Sequence, residues 1–421
     1  MMAATTSQRA ARLVPVLVFA GCACEHTIGI TGSDAGQDAA SDAPTEPDPD
    51  VLDTPEELDT PADIIRDLPV DPTDVLVPGE TELLRPDDEY GLGVLSWRLP
   101  VAYSGNVYGL VLERMIGVDH PIGVYTLVPG GEHLVSSWLD SSWVENRSAS
   151  ICWTGEVFLV SIQEDGVGVR TLAVSEDGSI ARAPEALLPA PVDPSSECMA
   201  ASTSEGPFLV CFQGGGGELE RVYCFRPDGS HDGTYIDADL DVSTRCAEVG
   251  REIACVHDSG IVFVDRRGAS RAGEPVPGFS YESCMTCGCD VASTGDGVAL
   301  IYGDGLPEEC HLAFTLFDLV GNILVPPVTS YPVESSVIST ASSGSSVLAV
   351  VGGGPYSLIP GAYLLDLTGW PIDAPFPIYD SDFPPDPVWT TFWEGDAYSV
   401  LWLQNGDLGT FVAYRRFDVD I

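Results

Sequence analysis

The sequence contains no lysine, and its 18 basic residues, all arginine, are outnumbered by 64 acidic residues. The formal net charge of -46 disfavours duplex DNA, RNA and bare anionic lipid as partners, because each would be repelled by the protein surface. We therefore expect no nucleic-acid binding. The lack of lysine has no folding rationale and is typical of codon bias in a GC-rich genome.

The sequence also lacks the common catalytic signatures. It has no nucleophile-elbow motif, no phosphate-binding loop, no dinucleotide fingerprint and no paired histidines of a zinc protease. Its six histidines are scattered along the chain, and isolated histidines are mostly structural. These absences favour a protein that is not an enzyme, and we expect neither a cofactor nor a metal.

After the N-terminus no stretch reaches the roughly 18 apolar residues that a membrane-spanning helix requires. At the N-terminus, Arg9 and Arg12 precede an apolar run from Leu13 to Ala20, which predicts a signal peptide over residues 1–21. The exit sequence Phe19-Ala20-Gly21-Cys22 resembles the lipobox of bacterial lipoproteins, with Phe19 in place of the usual leucine.

This resemblance implies cleavage before Cys22 and attachment of a diacylglyceryl group to its sulfur. The chain would then be exported and held by Cys22 at the bacterial outer membrane or cell surface, with the membrane as its partner. Ordinary secretion, with Cys22 as a plain thiol, is the alternative.

Residues 22–88 form a different kind of segment, in which regularly spaced aspartates alternate with proline, alanine and threonine. So much charge with so few aromatic residues cannot bury enough apolar area to offset chain entropy, which predicts a disordered acidic tether. A low-affinity calcium-binding segment is the alternative, although no spacing there matches an EF-hand loop.

One unit recurs seven times in the remaining chain, at gaps of 44 to 51 residues. Each copy begins with a glycine and an apolar strand, and a second strand follows that ends in an acidic or glycine-containing turn. The glycines are Gly105, Gly155, Gly206, Gly250, Gly295, Gly344 and Gly395.

Seven such units without a helical pattern predict an all-β fold, a seven-bladed β-propeller over residues 89–421. The last copy stops before its outer strand, so the segment 93–103 before Gly105 is expected to complete the last blade and close the ring. Tandem sandwich domains and a β-solenoid are the alternatives.

Signal, acidic linker and loose repeats together resemble the secreted β-propeller lipoproteins of myxobacteria and similar GC-rich bacteria. This resemblance concerns the architecture from Cys22 to the end of the chain. That group has no common activity, so it implies a location and a fold but no function.

Twelve cysteines in an exported chain suggest oxidation to disulfides. Cys246 and Cys255 are symmetric about a turn at Gly250, which favours a bridge across a hairpin. Cys198 with Cys211, and Cys211 with Cys224, are competing pairs of the same kind. The disulfide candidates in the folded part are Cys152, Cys198, Cys211, Cys224, Cys246, Cys255, Cys284, Cys287, Cys289 and Cys310.

Two places permit a metal-binding alternative. Cys284, Cys287 and Cys289, with Cys310 and His311, have ligands that zinc accepts, but in an oxidising compartment disulfides are favoured. The run Asp237-Ala-Asp239-Leu-Asp241 begins like a calcium loop, yet Val242 stands where such a loop needs glycine.

Two functions remain open. The first is a surface module, expected to be monomeric, whose propeller face binds a protein or glycan; Trp138, Trp143, Trp389 and Trp393 would suit contact at loop tips, or else pack between blades. The second is a polysaccharide hydrolase or lyase, which predicts carboxylates at equivalent inward positions of several blades. The sequence shows no such register, which favours binding.

Overall fold

The computed structural model describes most of the chain from residue 75 onwards. No helix in the described part is long and apolar enough to cross a membrane. The described ranges are 75–86, 91–93, 99–115, 121–129, 133–140, 147–164, 168–187, 197–212, 220–238, 245–305, 310–333, 335–353, 361–372, 375–378, 385–406 and 409–420.

Five four-stranded antiparallel sheets form blades 2 to 6, each with its strands in chain order. Blade 2 contains β7 (Arg147–Trp153), β8 (Phe158–Glu164), β9 (Gly168–Val174) and β10 (Ile180–Ala186). Blade 3 contains β11 (Glu197–Thr203), β12 (Gly206–Phe212), β13 (Glu220–Phe225) and β14 (His231–Ala238). Blade 4 contains β15 (Cys246–Val249), β16 (Glu252–His257), β17 (Gly260–Asp265) and β18 (Ser270–Ala272).

Blades 5 and 6 repeat the pattern. Helix α1 (Tyr281–Cys287) precedes blade 5, which contains β19 (Cys289–Ser293), β20 (Gly297–Asp304), β21 (His311–Asp318) and β22 (Ile323–Pro332). Blade 6 contains β23 (Ser335–Ser342), β24 (Ser346–Gly353), β25 (Gly361–Asp366) and β26 (Phe376–Pro377).

A nine-stranded sheet holds blades 1 and 7. Blade 1 contains β3 (Val101–Tyr103), β4 (Tyr108–Met115), β5 (Ile122–Leu127) and β6 (His133–Asp140), with β2 (Gly91–Gly93) beside β4. Blade 7 contains β27 (Pro385–Trp393), β28 (Ala397–Gly406), β29 (Gly409–Asp420) and, from the start of the folded part, β1 (Val75–Pro86). The predicted seven-bladed propeller is confirmed.

Ring closure differs from the prediction in one respect. The outer strand of blade 7 is β1, which pairs antiparallel with β29 from Val75 opposite Asp420 to Leu84 opposite Val412. The expected closing segment 93–103 instead contributes β3, the innermost strand of blade 1. The folded part therefore begins inside the predicted tether 22–88, because β1 supplies the strand that the C-terminus lacks.

Six of the seven repeat glycines occupy the turn between the first and second strands of their blades, and Gly206 follows that turn as the first residue of β12. Each has a positive φ, between 61° and 115°, a backbone conformation that favours glycine. This shared requirement explains why glycine is the most regular residue of the repeat.

A second turn, between the third and fourth strands, recurs in blades 2 to 6. In each copy an aspartate carboxylate accepts the backbone N–H two residues ahead, at 2.8 to 2.9 Å, an Asx-type turn. Hydrogen bonds from the Ser179 and Ser230 hydroxyls, together with these backbone bonds, lower the pKa of Asp177 and Asp228 below the usual aspartate value. The five aspartates are Asp177, Asp228, Asp265, Asp318 and Asp366.

The innermost strands are tied to one another by side chains five residues before the turn glycine. Oγ of Ser150 accepts the Ala200 N–H at 2.8 Å, and Oγ of Ser339 accepts the Thr391 N–H at 3.0 Å. Asp290 accepts the N–H and hydroxyl of Thr340 at 2.8 and 3.1 Å. Two further ties join Arg245 to the Cys289 carbonyl and Thr390 to the Leu99 carbonyl.

Apolar side chains fill the space between neighbouring blades. Each main cluster combines residues from two adjacent blades, such as blades 4 and 5 or blades 7 and 1. Both faces of a blade are thus covered, and strands such as β20, buried over seven of its eight residues, form continuous apolar runs.

Helix α1 corrects the expectation that the folded part has no helix. It spans seven residues of the connection between blades 4 and 5 and carries Cys284 and Cys287. Two disulfides hold it against blade 5. So short a helix is stabilised by covalent attachment and not by an amphipathic pattern, which is why the sequence periodicity did not reveal it.

Candidate functional site

A cleft of 590 Å³ opens on one side of blades 3, 4 and 5. Its walls are the turns between first and second strands and between third and fourth strands, and we call the side of the propeller that carries these turns the turn face. The lining residues are Glu205, Val249, Gly250, Arg251, Glu252, Asp265, Arg267, Arg271, Gly295, Leu319 and Val320.

The charge of the cleft differs from that of the chain. Its lining has three arginines and three carboxylates, whereas the whole sequence has 18 basic and 64 acidic residues. Because charges more than about 8 Å away are largely screened at physiological ionic strength, a ligand in the cleft experiences mainly this local balance. The lining of the cleft is therefore balanced in charge, in contrast to the strongly acidic chain as a whole.

Arg271 forms the fixed floor of the cleft. Its guanidinium makes a two-pronged ion pair with Glu252, donates to the Leu319 carbonyl at 2.7 Å and stacks 3.7 Å from the centre of the Phe263 ring. These contacts join blade 4 to the outer turn of blade 5 and neutralise Glu252. Arg271 thus positions the cleft, and its charge is already matched.

Arg251 and Arg267 provide the cations that remain available. The Arg251 side chain is 78% exposed and touches Glu205 only at 3.9 Å. Arg267 is exposed, and no side-chain partner for it occurs among the described residues. The carboxylate of nearby Asp265 accepts hydrogen bonds from the backbone N–H groups of Arg267 and Ala269, at 2.8 and 2.9 Å.

The turns that carry these arginines are held rigidly. Arg266 donates to the Glu205 carbonyl at 3.1 Å and to the Phe225 carbonyl at 2.6 Å, which ties the outer turn of blade 4 to blade 3. Gly268 completes that turn with a φ of 71°. Arg267 consequently projects from a fixed backbone, and only its own side chain is free to adapt to a ligand.

Leu319 and Val320 add an apolar rim to the cleft. They are 44% and 69% exposed, and Val320 is the most exposed of the large hydrophobic residues that the structure describes. None of the described residues that line the cleft is aromatic, so the site offers no ring on which a sugar could stack. Guanidinium groups beside exposed aliphatic side chains suit an acidic ligand with apolar parts.

The sequence signal for this cleft was missed. Arg251, Arg266, Arg267 and Arg271 lie within a stretch of 21 residues, in a chain with only 18 basic residues in total. Such local enrichment against an acidic background is visible without a structure. What the sequence does not show is that Leu319 and Val320, in the next blade, meet these arginines.

The structure places the cysteines of blades 3 and 4 in two cross-strand disulfides. Cys198 is opposite Cys211 and Cys246 is opposite Cys255 in their antiparallel ladders, with Cα atoms 4.1 and 4.0 Å apart. Both pairs were among the sequence candidates. The competing pair of Cys211 with Cys224 does not form, because Cys224 lies opposite Phe208 in the same sheet.

Cys152 and Cys224 are buried and unbridged, contrary to their inclusion among the disulfide candidates. Cys152 packs in the apolar cluster around the Cys198–Cys211 bridge, and burial raises the pKa of its thiol. Cys224 contacts the Arg266 carbonyl at 3.3 Å, and desolvation raises its pKa too. Both thiols are therefore held protonated, in contrast to reactive thiolates.

The remaining four cysteines form bridges Cys284–Cys289 and Cys287–Cys310 around helix α1. A Cβ added at Gly303 would lie 2.3 Å from the Cys287 Cβ, so only glycine permits this close packing. Disulfides consume the thiolates that the zinc alternative requires. No cluster of three or more metal-binding side chains occurs among the described residues.

Of the four tryptophans considered for ligand contact, Trp389 is buried, while Trp393 and Trp138 are half-buried against other side chains. Trp389 is 1% exposed and donates to the Val350 carbonyl at 3.2 Å. Trp393 packs against Tyr398, with ring centres 4.8 Å apart, and Trp138 is half-buried between blades 1 and 2. Trp143 lies outside the described residues.

Several other predicted features also fall outside the described residues. They include Cys22, the signal peptide and the tether as far as residue 74. Of the run considered for calcium, Asp237 is ion-paired with Arg221 at 3.1 Å, whereas Asp239 and Asp241 are not described.

Carboxylates on the described inner strands do not form the register that a hydrolase requires. The position five residues before the turn glycine holds Pro100, Ser150, Ala201, Arg245, Asp290, Ser339 and Thr390, of which one is acidic. Asp290 is buried and already bonded to Thr340 and to its own strand. This position therefore does not supply the paired carboxylates that a glycosidase requires.

Glu248 is the carboxylate with the most altered titration. Its side chain retains solvent contact, yet the surrounding protein desolvates it and raises its pKa to about 7, with the hydrogen bond from the Ser202 N–H at 2.6 Å opposing that rise. No ion pair to Glu248 occurs among the described residues. A single carboxylate of this kind affects stability more readily than it supports hydrolysis.

No protein-family model matches the chain, and no curated protein matches it. Among solved structures, the phage phi92 endosialidase is similar at 7% identity and a TM-score of 0.47, covering 82% of this chain and 69% of that one. The subtype N11 neuraminidase-like protein of A/flat-faced bat/Peru is similar at 12% identity and a TM-score of 0.44, and the match covers 83% of this chain and 94% of that one. Sqt1 from Chaetomium thermophilum is similar at 13% identity and a TM-score of 0.45, and the match covers 82% of this chain and 85% of that one. Likenesses this distant carry no inference about activity.

Proposed function

We propose that the chain is an exported, lipid-anchored binding module whose turn face recognises an acidic segment of a protein partner. The observation that carries this proposal is the arginine cleft. It provides two cations without strong internal partners beside two exposed aliphatic side chains, on a surface that is otherwise acidic. Arginine between apolar contacts is typical of protein interfaces.

A peptide segment fits the cleft better than a glycan does. The described lining has no aromatic ring on which the apolar face of a sugar could stack, whereas its exposed aliphatic side chains can pack on apolar side chains of a peptide. The cleft volume lies within the range of about 300–1,000 Å³ that small ligands or a few side chains fill. Carboxylates of the partner would pair with Arg251 and Arg267, and its apolar side chains would pack on Leu319 and Val320.

The proposed location rests on the N-terminal sequence and on the disulfides. Cys22 follows an apolar signal with small residues before it, as in lipoproteins. The structure forms four disulfides, which persist in oxidising compartments outside the cytosol. Intact mass of protein from native membranes should equal a chain starting at Cys22 plus lipid; an unlipidated mass would contradict the anchor.

The binding proposal is tested by fluorescence anisotropy on the mature chain in detergent. The probe is a labelled twelve-residue peptide of alternating aspartate and leucine. We expect binding that weakens as salt rises, because the contacts are ionic. Replacing both arginines in Arg251→Glu/Arg267→Glu should weaken it at least about tenfold, since charge reversal repels the peptide.

The matched control is Arg182→Glu, because Arg182 is a half-buried arginine that pairs with Asp228 and does not line the cleft. It should change the affinity less than about twofold. Equal weakening by both variants would show non-specific attraction and would contradict the cleft. Binding of polygalacturonate without binding of the peptide would favour a glycan ligand and overturn the peptide assignment.

A further inference from the structure

The outer turns of blades 2 to 6, between the third and fourth strands, share one backbone geometry. In each five-residue turn the N–H of the first residue donates to the carbonyl of the fifth, at 2.8 to 3.0 Å. The fourth residue is a glycine at a φ between 71° and 92°, and its N–H donates to the carbonyl of the first. The five turns therefore differ chiefly in the side chains that they present. They span residues 175–179, 226–230, 265–269, 318–322 and 366–370.

The chemistry of these side chains changes in order around the turn face. Asp177 and Asp228 are the exposed third residues in blades 2 and 3, and hydrogen bonds from neighbouring serines lower the pKa of both, so they are ionised at neutral pH. Arg267 takes this position in blade 4, and Val320 takes it in blade 5. In blade 6 the fifth residue, Trp370, is 58% exposed. The outer turns thus run from acidic through cationic to apolar.

The apolar turns of blades 5 and 6 are neighbours. The outer turn of blade 6 rests on blade 5, because a Cβ added at Gly369 would lie 2.7 Å from a ring carbon of Phe314. In β21, Phe314 precedes Asp318 by four residues, which is about 14 Å of strand. Trp370 and Val320 are consequently roughly 15–20 Å apart, a distance that five or six residues of extended chain span.

An acidic segment bound in the cleft has one favourable direction in which to continue. Towards blades 3 and 2 its carboxylates approach the ionised Asp228 and Asp177, and like charges repel. Towards blade 6 it passes Val320 and reaches Trp370, where an apolar side chain of the segment is removed from water. Tryptophan is also one of the residue types that most often dominate binding at protein interfaces. The arrangement of charge therefore directs the segment towards Trp370.

We propose that the partner's segment has two parts, an acidic part held by Arg251 and Arg267 and an apolar part, about five residues further along, held by Trp370. This inference rests on the proposed function and deepens it, because it adds a second contact and a sequence requirement for the same partner. Leu319 and Val320 lie between the two contacts and pack on the residues that join the two parts.

The test uses two labelled twelve-residue peptides of equal charge. Both contain one half of alternating aspartate and leucine. The other half alternates glycine with leucine in the first peptide, the leucine peptide, and glycine with serine in the second, the serine peptide. Each is also made with its halves in the opposite order, so that both directions of the bound segment are sampled. Fluorescence anisotropy on the mature chain in detergent measures every affinity.

The leucine peptide should bind the unmodified chain about tenfold more tightly than the serine peptide in one of the two orders, because its apolar side chains are buried on Trp370. Trp370→Ala should reduce this preference to less than about twofold and leave binding of the serine peptide nearly unchanged. Trp370→Phe, which keeps a ring, should retain most of the preference. Both variants should keep the thermal midpoint of the unmodified chain by circular dichroism, because the side chain is exposed.

Tyr235→Ala is the matched control. Tyr235 is another exposed aromatic residue, at 41% on the outer strand of blade 3, and it does not line the cleft. Its replacement should leave the tenfold preference in place. If Tyr235→Ala removes the preference as Trp370→Ala does, the leucine half adheres to exposed rings in general and the assignment to Trp370 is wrong.

The outcomes separate this inference from the proposed function. If Trp370→Ala keeps the full preference while Arg251→Glu/Arg267→Glu weakens binding of both peptides, the second contact is wrong and the cleft remains a peptide site. If no peptide shows arginine-dependent binding, the proposed function fails and this inference fails with it. Binding of polygalacturonate that depends on Trp370, without a preference for the leucine peptide, would mean that the ring stacks on a sugar and would overturn the apolar peptide contact.

Discussion

Blades 3 to 5 and the junction of blades 7 and 1 are stabilised by different chemistry. All ten cysteines of the folded part lie between residues 152 and 310, and four disulfides connect strands or the helix of blades 3 to 5. The junction of blades 7 and 1 has no cysteine. It relies on long strands, aromatic packing and one buried carboxylate.

Blade 4, which carries the Cys246–Cys255 disulfide, has much shorter strands than blade 7. The strands of blade 4 contain four, six, six and three residues, whereas those of blade 7 contain nine, ten, twelve and twelve. Short strands bury less apolar area and form fewer hydrogen bonds, so a covalent link contributes proportionately more. The comparison teaches that blade 4, which has the shortest strands, gains proportionately most from its disulfide.

At the junction of blades 7 and 1, hydrogen bonds to the Glu394 side chain connect the two blades where no disulfide is present. This carboxylate is 2% exposed, accepts hydrogen bonds from the hydroxyls of Tyr108 and Tyr414, and pairs with Arg416 at 3.2 Å. Tyr108 belongs to blade 1 and the others to blade 7. Desolvation beside Glu394 raises the pKa of Tyr108, so its hydroxyl stays protonated and able to donate.

The largest effect should come from removing β1. Deletion of residues 75–86 leaves β29 as an exposed edge and uncovers the cluster that includes Leu76 and Phe417. We expect a loss on the order of 5 kcal/mol and a fall of the thermal midpoint by about 10 °C or more. Circular dichroism would measure it.

Deletion of residues 51–62, which has the same length but lies in the predicted tether, is the control. It should leave the thermal midpoint unchanged. Equal midpoints for the two deletions would contradict the role of β1 in closing the ring.

Next in size, Glu394→Ala should destabilise the protein by about 3 kcal/mol. The substitution leaves two buried tyrosine hydroxyls and part of Arg416 without an acceptor. Urea unfolding would measure the change. Asp396→Ala removes another partner of Arg416 that is 73% exposed, and it should cost less than about 0.5 kcal/mol. Similar costs for the two variants would mean that burial of Glu394 adds nothing.

Removing the bridge of blade 4 should cost somewhat less. Cys246→Ala/Cys255→Ala opens a loop with a sequence separation of 9, for which loop entropy predicts about 2–3 kcal/mol. Hydrogen exchange should quicken in β15 and β16 while β28 and β29 stay protected. Uniform acceleration across all blades would show that the disulfide stabilises the whole ring and not the short blade.

The sequence predicted the parts of the fold that depend on backbone requirements. Glycines at positive φ and Asx turns need particular residue types, so they recur visibly. The ties between inner strands escaped detection, because serine, arginine, aspartate and threonine all perform them. A hydrogen bond to the neighbouring blade can be made by many side chains, so no motif marks it.

Closure and the candidate site were harder to predict for a different reason. The apolar and acidic residues of β1 resemble the end of the acidic tether, and its role appears only through pairing with β29, more than 300 residues away in sequence. The cleft likewise joins arginines of blade 4 to Leu319 and Val320 of blade 5. Contacts between repeats depend on the register of two blades, which no single repeat contains.

The smallest expected effect contrasts Glu248 with Glu394. Glu394 is compensated by an arginine and two tyrosines, whereas Glu248 in blade 4 has one backbone N–H and a pKa raised to about 7. A folded-state pKa above the ordinary value of 4.5 means that the stability contributed by the protonated form is lost as pH rises from about 4.5 to 7. Above pH 7, ionised Glu248 therefore lowers the stability of the folded state.

Glu248→Gln keeps the acceptor for Ser202 and removes that ionisation. The variant should match the unmodified protein near pH 4 and exceed its stability by about 1 kcal/mol at pH 8, a value reduced because solvent reaches the side chain. Urea unfolding at both pH values would measure it, with Asp258→Asn at an exposed position of the same blade as control. A stability difference between Glu248→Gln and the unmodified protein that does not change with pH would show that Glu248 titrates normally. In that case ionisation of Glu248 would not destabilise blade 4, and its disulfide would have no such electrostatic cost to offset.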